Sequence, residues 1–160
     1  MRISRLDFDF LITVHVFNFL RTLHYSVSCQ RVFKMKYELK IYKDPVYAEV
    51  VGHGKATVED FKIITQELIS HAQFVRGINF LHDYRDIYSG HLTFEQVKSI
   101  AVMVESNREV LGNSRWALLV NDNLNFGMGR MWQTLVSENV DLEIRVYKDE
   151  SEALSWIKGS

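Results

Sequence analysis

Three histidines, two aspartates and a serine are the residues of this chain whose types could do chemistry. A histidine paired with an aspartate could hold a metal ion or activate a serine hydroxyl. The histidines do not stand at a helical metal-binding spacing, the serine and its nearest histidine are only two residues apart, and no Gly-x-Ser-x-Gly elbow occurs. We therefore expect no enzymatic activity, no metal and no cofactor. The six residues are His53, His82, His91, Asp83, Asp86 and Ser89.

Phosphate and nucleic-acid chemistry have equally little support. Gly52-His53-Gly54 lacks the later glycine and the Lys-Ser/Thr pair of a P-loop. Nucleotide binding through backbone amides alone remains open. The formal net charge is −1, which gives no electrostatic reason to expect a nucleic-acid partner.

A glycine-containing apolar segment is the best candidate for ligand binding. Two glycines in one helix cost about 1 kcal/mol each relative to alanine, so a close approach to the backbone should compensate. They either admit a small apolar or amphipathic ligand beside flexible side chains, or let the helix pack closely on a sheet. The predicted ligand-binding residues are Phe126, Gly127, Met128, Gly129, Arg130 and Met131.

Arg130 is the only charged residue of that segment, and two interpretations are open. Its guanidinium could clamp a carboxylate or phosphate head group, helped by the exposed amides of the helix start near Asn123. Alternatively, it forms an ion pair with Asp83 or Asp86 at the ends of neighbouring strands.

Apolar periodicity defines the elements that must position these residues. Residues 37–41 and 46–51 alternate as two strands around an Asp44-Pro45 turn, and residues 77–83 predict a third strand followed by a polar loop over 84–91. Helices with capping boxes are predicted after Thr57, with Asp60, and after Thr93, with Gln96.

Residues 114–157 read as strand, helix, strand, helix. A buried strand at 115–120 precedes a helix over 126–136, and an alternating strand follows at 142–146. Asp149 with Glu152 predicts a capping box at the start of a last helix. The whole order predicts an α/β fold: a mixed four- to five-stranded sheet with about four helices, whose first strand is antiparallel and whose later strands are parallel.

Several segments resemble the SpoIIAA-like proteins, which are related to the STAS domain and often described as STAS/SEC14-like. The resemblance covers nearly all of residues 35–158. Its residues are Phe126-Gly127-Met128-Gly129-Arg130-Met131, Val146-Tyr147-Lys148-Asp149-Glu150 with Glu152-Ala153-Leu154-Ser155-Trp156-Ile157, Asp83-x-Arg85-Asp86, and Gly52-x-Gly54-x-x-Thr57-x-Glu59-Asp60.

The resemblance implies a sheet with helices mainly on one face and a cytoplasmic binding or regulatory module without assigned activity. In anti-sigma-factor antagonists of the wider group, a serine in an Asp-Ser-Ser-Gly-type loop is phosphorylated. Ser89-Gly90 matches the end of that loop here. A partner-binding or regulatory loop would then comprise Asp83, Arg85, Asp86 and Ser89.

Residues 1–34 do not match the rest of the chain. They carry a net charge of +3 against −4 for the remainder, and their apolar run is too short and interrupted for a membrane span. We expect an extension preceding a domain at 35–158, with Met35 as the natural start; secretion or lipidation at Cys29 is the alternative. One cysteine excludes an internal disulfide.

Two functional hypotheses follow from these observations. The first is a non-catalytic cytoplasmic module that binds a small apolar or amphipathic ligand, or a protein partner or second copy, without stable membrane insertion. The alternative is a partner-switching regulator of the anti-sigma-antagonist type, and a hydrolase-like enzyme is less well supported. The sequence leaves the ligand, the partner and the oligomeric state open.

Overall fold

A computed structural model describes residues 35–137 and 142–159 of the 160-residue chain. The expectations for residues 1–34, including the extension and the alternative of secretion or lipidation, lie outside the described residues. The strands are β1 (Lys36–Lys43), β2 (Val46–Lys55), β3 (Asn79–Tyr88), β4 (Arg115–Leu119) and β5 (Glu143–Tyr147). The helices are α1 (Val58–Ser70), α2 (Phe94–Ser106), α3 (Arg108–Leu111), α4 (Asn123–Ser137) and α5 (Glu150–Lys158).

The five strands form one sheet in the order β1-β2-β3-β4-β5. β1 pairs with β2 antiparallel, with Leu39 opposite Val50, and every later pair is parallel. The predicted mixed sheet with an antiparallel first strand is therefore confirmed. Parallel neighbours place the carboxyl ends of β2 to β5 at the same edge, where helices α1, α4 and α5 begin soon after their strands.

Local sequence signals account for the helix starts. Thr57 with Asp60 and Thr93 with Gln96 each form the predicted capping box, in which side chain and backbone donors are satisfied reciprocally. Asp149 accepts a hydrogen bond from the Glu152 N–H at 3.0 Å and caps α5, but the Glu152 side chain does not return the bond, so the capping box predicted here is only half formed. These bonds satisfy amides that the first helical turn leaves without partners.

β3 is longer than the sequence predicted. The polar loop expected over residues 84–91 is wrong for its first five residues, because the strand continues to Tyr88. Tyr84 and Ile87 are buried in the core, and this burial keeps residues 84–88 in the strand. Gly52 of β2 makes room for Tyr84, since a Cβ at that glycine would lie 3.2 Å from Tyr84 Cδ1.

The two faces of the sheet carry unequal layers. Helices α1, α2 and α4 cover one face and share the larger core with side chains such as Phe80 and Trp116. Helix α5 covers the other face, where Ala153 and Ile157 pack on Leu81 in a smaller cluster. The expectation that the helices lie mainly on one face is confirmed, and the larger layer is the one that contains the candidate site.

Candidate functional site

A cavity of about 90 Å³ lies in the larger core, between the sheet and helices α1, α2 and α4. Its walls come from five elements, α1, β3, α2, β4 and α4, and from the segments that follow β3 and β4. Most of its lining side chains are aliphatic or aromatic. They are Phe61, Ile64, Thr65, His82, Tyr84, Ile87, Ser89, Leu92, Val97, Ile100, Met103, Val104, Trp116, Leu118, Val120, Asn125, Met128, Gly129 and Trp132.

Helix α4 approaches the sheet closely at one edge of the cavity. A Cβ added to Gly129 would lie 3.2 Å from both methyl carbons of Val146 on β5 and 3.5 Å from Leu118 Cδ2 on β4. A Cβ at this position would be in tight contact with Val146, so an alanine would require the helix or Val146 to shift. Gly129 therefore sets the depth at which Met128 and Trp132 enter the core.

His82 and Tyr84 are the titratable side chains of the cavity wall. His82 Nδ1 and the Tyr84 hydroxyl are 3.0 Å apart, while no described residue provides a partner for His82 Nε2. Burial lowers the pKa of His82 to about 3 and raises the pKa of Tyr84. Both side chains are therefore uncharged at neutral pH.

Aromatic rings form the inner wall beside His82. The ring centroid of Trp116 lies 5.1 Å from that of His82 and 6.0 Å from that of Trp132. Trp116 Nε1 donates to Ser114 Oγ at 2.7 Å, but Trp132 Nε1 has no acceptor among the described residues. The aromatic wall thus includes two side chains, His82 and Trp132, that each bury a nitrogen atom for which the described residues provide no partner.

A hydrogen-bonded bridge closes the cavity where α4 begins. Asn125 Nδ2 donates to the Ile87 carbonyl at 3.0 Å and to Asp122 Oδ2 at 2.8 Å. Its Oδ1 accepts a hydrogen bond from Ser89 Oγ. These contacts fix the end of β3 to the first turn of α4 and bury both polar side chains.

Four lining side chains are only half-buried and mark where the cavity meets the protein surface. Phe61 comes from α1, Met103 from α2 and Met128 from α4, and Leu92 precedes α2. Two of the four are methionines, whose three rotatable bonds let them adapt to different shapes. The mouth of the cavity is thus its most deformable part.

The predicted ligand-binding segment is divided by the structure. Met128 and Gly129 line the cavity, whereas a Cβ at Gly127 would meet nothing within 4 Å. Phe126 and Met131 both pack on the larger core. The centroid of the Phe126 ring lies 5.6 Å from Lys148 Nζ. Ligand binding by these residues stays a prediction, and their shared helix does not bring all of them to one cavity.

Arg130 does not form the ion pair that the sequence suggested as one interpretation. Its Nη1 donates to Gln133 Oε1 at 2.7 Å on the exposed side of α4. Asp83 accepts instead from Arg85, at 2.9 Å from Nε and 2.6 Å from Nη2, and Asp86 lies 3.3 Å from His53 Nδ1. The aspartates of β3 thus have nearer partners, Arg85 for Asp83 and His53 for Asp86.

The four residues of the predicted partner-binding loop do not share one loop. Asp83, Arg85 and Asp86 lie within β3, and only Ser89 follows it. Arg85 also contacts Glu150 of α5 at 2.9 Å, whereas Ser89 lines the cavity under α4. Their regulatory role stays a prediction, but a single contact surface would have to draw on both faces of the sheet.

The histidines are likewise dispersed. His82 is buried, His53 is exposed beside Asp86, and His91 stacks on Tyr88 with ring centroids 5.4 Å apart. Within residues 35–137 and 142–159, no group of three histidine, cysteine, aspartate or glutamate side chains could hold a metal ion. The hydroxyl of Ser89 donates to Asn125 rather than to a histidine.

Sequence reasoning missed most of the cavity wall. Tyr84 was assigned to a loop, while Trp116 and Trp132 were assigned to a strand and a helix without a site role. One signal was present: Phe80, His82 and Tyr84 alternate, so they share one face of a strand. That spacing would have placed a histidine and a tyrosine side by side under the helices.

Comparisons with known proteins bear on the fold. No protein-family model matches the chain, and no curated protein matches it. Among solved structures it is similar to an uncharacterised protein of the DUF3478 family with a SpoIIAA-like fold, from Shewanella loihica PV-4. The two share 17% sequence identity with a TM-score of 0.52, over 78% of this chain and 94% of the other.

The chain therefore has a SpoIIAA-like fold, as the residues of α4 and α5 suggested. At 17% identity the likeness shows the fold alone. In the part of the chain that the structure describes, no helix is long and apolar enough to cross a membrane.

Proposed function

We propose that this protein is a non-catalytic binding module that holds a small apolar or amphipathic molecule in the cavity beneath α4. The observation that carries the proposal is the cavity of about 90 Å³, which is lined mostly by aliphatic and aromatic side chains. Protein interiors are close-packed, and voids of more than a water molecule are few. Such a feature needs a physical reason.

The energetic cost of this cavity supports a ligand. An unfilled cavity costs roughly 24 cal/mol per Å³, which gives about 2 kcal/mol for this volume. A molecule that fills the space offsets this cost.

The size of the cavity limits the ligand. An apolar cavity of about 150 Å³ accommodates benzene, which has six heavy atoms, so the smaller space here suits fewer than six. The remainder of a longer molecule would extend out of the cavity through its mouth, where Met103 and Met128 can move aside. The buried end of an amphipathic molecule fits both features.

The chemistry of the wall favours binding over catalysis. General acid–base catalysis works best with a pKa near the operating pH, whereas His82 has a pKa of about 3 and Tyr84 a raised one. Ser89 is held by Asn125 without a base beside it. The alternative of a Ser89 phosphoswitch requires an accessible hydroxyl, and the burial of Ser89 does not favour it. A cytoplasmic location and a protein partner or homodimer remain predictions.

Native mass spectrometry of the purified full chain, compared with its denatured mass, tests the proposal. We expect a non-covalent adduct that is lost on denaturation. Val104→Leu adds a methylene group to the cavity wall and should reduce the adduct, because the ligand and the added carbon compete for space. Val136→Leu is the matched control, since Val136 is equally buried, at 1% exposure, but does not line the cavity.

Three results would count against ligand binding. The first is the absence of an adduct from repeated wild-type preparations. The second is an adduct that both variants retain equally. The third concerns the free energy of unfolding. Val136→Leu should lower it by about 1–3 kcal/mol through overpacking, and an equal decrease for Val104→Leu would mean that no space exists beside Val104.

A further inference from the structure

β1 is an edge strand whose outer side is open within the described part of the chain. It pairs with β2 on its inner side along its full length, from Lys36 opposite His53 to Lys43 opposite Val46. That pairing contains no bulge, and β1 contains no proline. A regular edge strand presents unpaired N–H and C=O groups along its outer side, and another strand can add to them.

The side chains of β1 alternate between the two faces of the sheet. Tyr37, Leu39 and Ile41 are half-buried at the border of the larger core. Glu38 and Lys40 are exposed on the opposite face, where Lys40 Nζ lies 2.9 Å from Glu38 Oε2. An added strand would cover the half-buried apolar row, but it must also match these two charges.

The charges of β1 select the strand that can add to it. Lysines on an edge strand usually oppose pairing, and like charges directly opposite each other are destabilising. A second copy of β1, running antiparallel, avoids this repulsion when Leu39 lies opposite Leu39 of the second copy. In that register each Glu38 lies opposite a Lys40, and each Tyr37 lies opposite an Ile41. Both kinds of cross-strand pair are stabilising.

The neighbouring registers lack this complementarity. Centring the pair of strands on Glu38 places two carboxylates opposite each other, and centring it on Lys40 places two ammonium groups opposite each other. A shift by a single residue would bring the apolar row of one copy beside the charged row of the other. The sequence of β1 is therefore complementary to itself in one antiparallel register.

From these observations we propose that β1 forms a homodimer interface, in which two copies pair antiparallel about a two-fold axis at Leu39. The two five-stranded sheets become one continuous sheet across the interface. Because the same surface is used by both copies, the assembly closes at two chains. The cavity takes no part in this contact, so the dimer does not depend on ligand binding.

Sedimentation equilibrium of the purified full chain over a concentration series tests the interface. We expect the wild-type protein to have the mass of two chains. Glu38→Lys places a lysine opposite Lys40 at two symmetric positions, and it should raise the dissociation constant of the dimer about tenfold or more. Combining Glu38→Lys with Lys40→Glu restores opposite charges and should restore the dimer, which a merely misfolded variant would not do.

The matched control is Glu143→Lys. Glu143 is an exposed residue of β5, the strand at the opposite edge of the sheet. The substitution makes the same change of charge on a strand that the proposed interface does not use. It should leave the dissociation constant of the dimer unchanged.

Cysteine substitutions test the register, in a chain whose native Cys29 is replaced by serine. Directly opposite residues of an antiparallel pair have Cα atoms about 4.5–5.5 Å apart, a separation that a disulfide can span. Oxidation should therefore link two chains of the Leu39→Cys variant. Ile41→Cys is the control, because in this register the two residues at position 41 lie four positions apart along the strands, roughly 13 Å, and should not link.

Three outcomes would overturn the proposal. The first is a wild-type protein that sediments as a monomer at every concentration. The second is a dimer that Glu38→Lys weakens no more than Glu143→Lys does, which would assign the contact to another surface. The third is a disulfide that forms as readily in Ile41→Cys as in Leu39→Cys, which would contradict the register.

Discussion

His82 is the residue of the cavity wall whose burial costs the folded state the most free energy. It lies on β3 between Phe80 and Tyr84, and one ring nitrogen faces the Tyr84 hydroxyl, while the other has no partner within the described part of the chain. Buried polar groups in proteins are nearly always hydrogen-bonded. A residue that departs from this rule in a cavity is a better indicator of a binding site than an exposed pair such as His53 and Asp86.

The pH dependence of stability tests this description of His82. An unfolded histidine has a pKa of about 6.5, whereas burial lowers the pKa of His82 to about 3. Between these values the unfolded chain binds a proton that the folded chain does not, so stability falls as pH falls through this window. We expect a loss of roughly 3 kcal/mol from about pH 7 to about pH 4, measured by urea unfolding.

The matched variant for this measurement is His82→Phe, which keeps an aromatic ring and removes the titration. Its stability should depend less on pH than that of the wild-type protein by about the same amount. Parallel pH profiles for the two proteins would show that His82 does not titrate as a buried group.

At the scale of the element, α4 joins two glycines with different environments. Gly127 is exposed and a Cβ there meets nothing, whereas Gly129 lies against Val146 of β5 and Leu118 of β4. The sequence suggested that such glycines either admit a ligand or allow close packing. The structure assigns close packing to Gly129, which also borders the cavity.

Alanine substitutions should therefore change stability in opposite directions. Gly127→Ala should stabilise the protein by about 1 kcal/mol, because alanine is the better helix former and has free space. Gly129→Ala should destabilise it by about 1 kcal/mol, since the new Cβ forces α4 away from Val146. Urea unfolding of both variants measures this; a gain at Gly129 as large as at Gly127 would contradict the close approach.

Much of the element structure could be predicted from the sequence, because its signals are local. Thr57 and Thr93 predict helix starts because each forms a capping box with the residue three positions later. Strand alternation is visible in residues 37–41. The end of β3 could not be predicted, because Tyr84 and Ile87 are kept in the strand by burial under distant helices. The ion pair considered between Arg130 and Asp83 does not form, for a related reason. Asp83 bonds instead to Arg85, which is only two residues away on the same strand.

At the scale of the whole molecule, the cavity belongs to no single element. It exists because α1, α2, α4 and the sheet do not fill the space between them, and such a gap leaves no periodic trace in a sequence. The SpoIIAA-like fold explains how these elements are arranged but not what the cavity holds, since one fold hosts many functions. The functional argument therefore rests on the cavity wall.

Diffraction from a crystal of the full chain, freed of any co-purified ligand by unfolding and refolding, tests the central claim most directly under xenon pressure, because xenon enters unfilled apolar cavities and scatters strongly. We predict a xenon site bounded by Trp116, Trp132 and Met128 in the wild-type protein, and reduced occupancy in Val104→Leu but not in Val136→Leu. A wild-type crystal with no xenon in this core, and with side chains filling the space, would contradict the account.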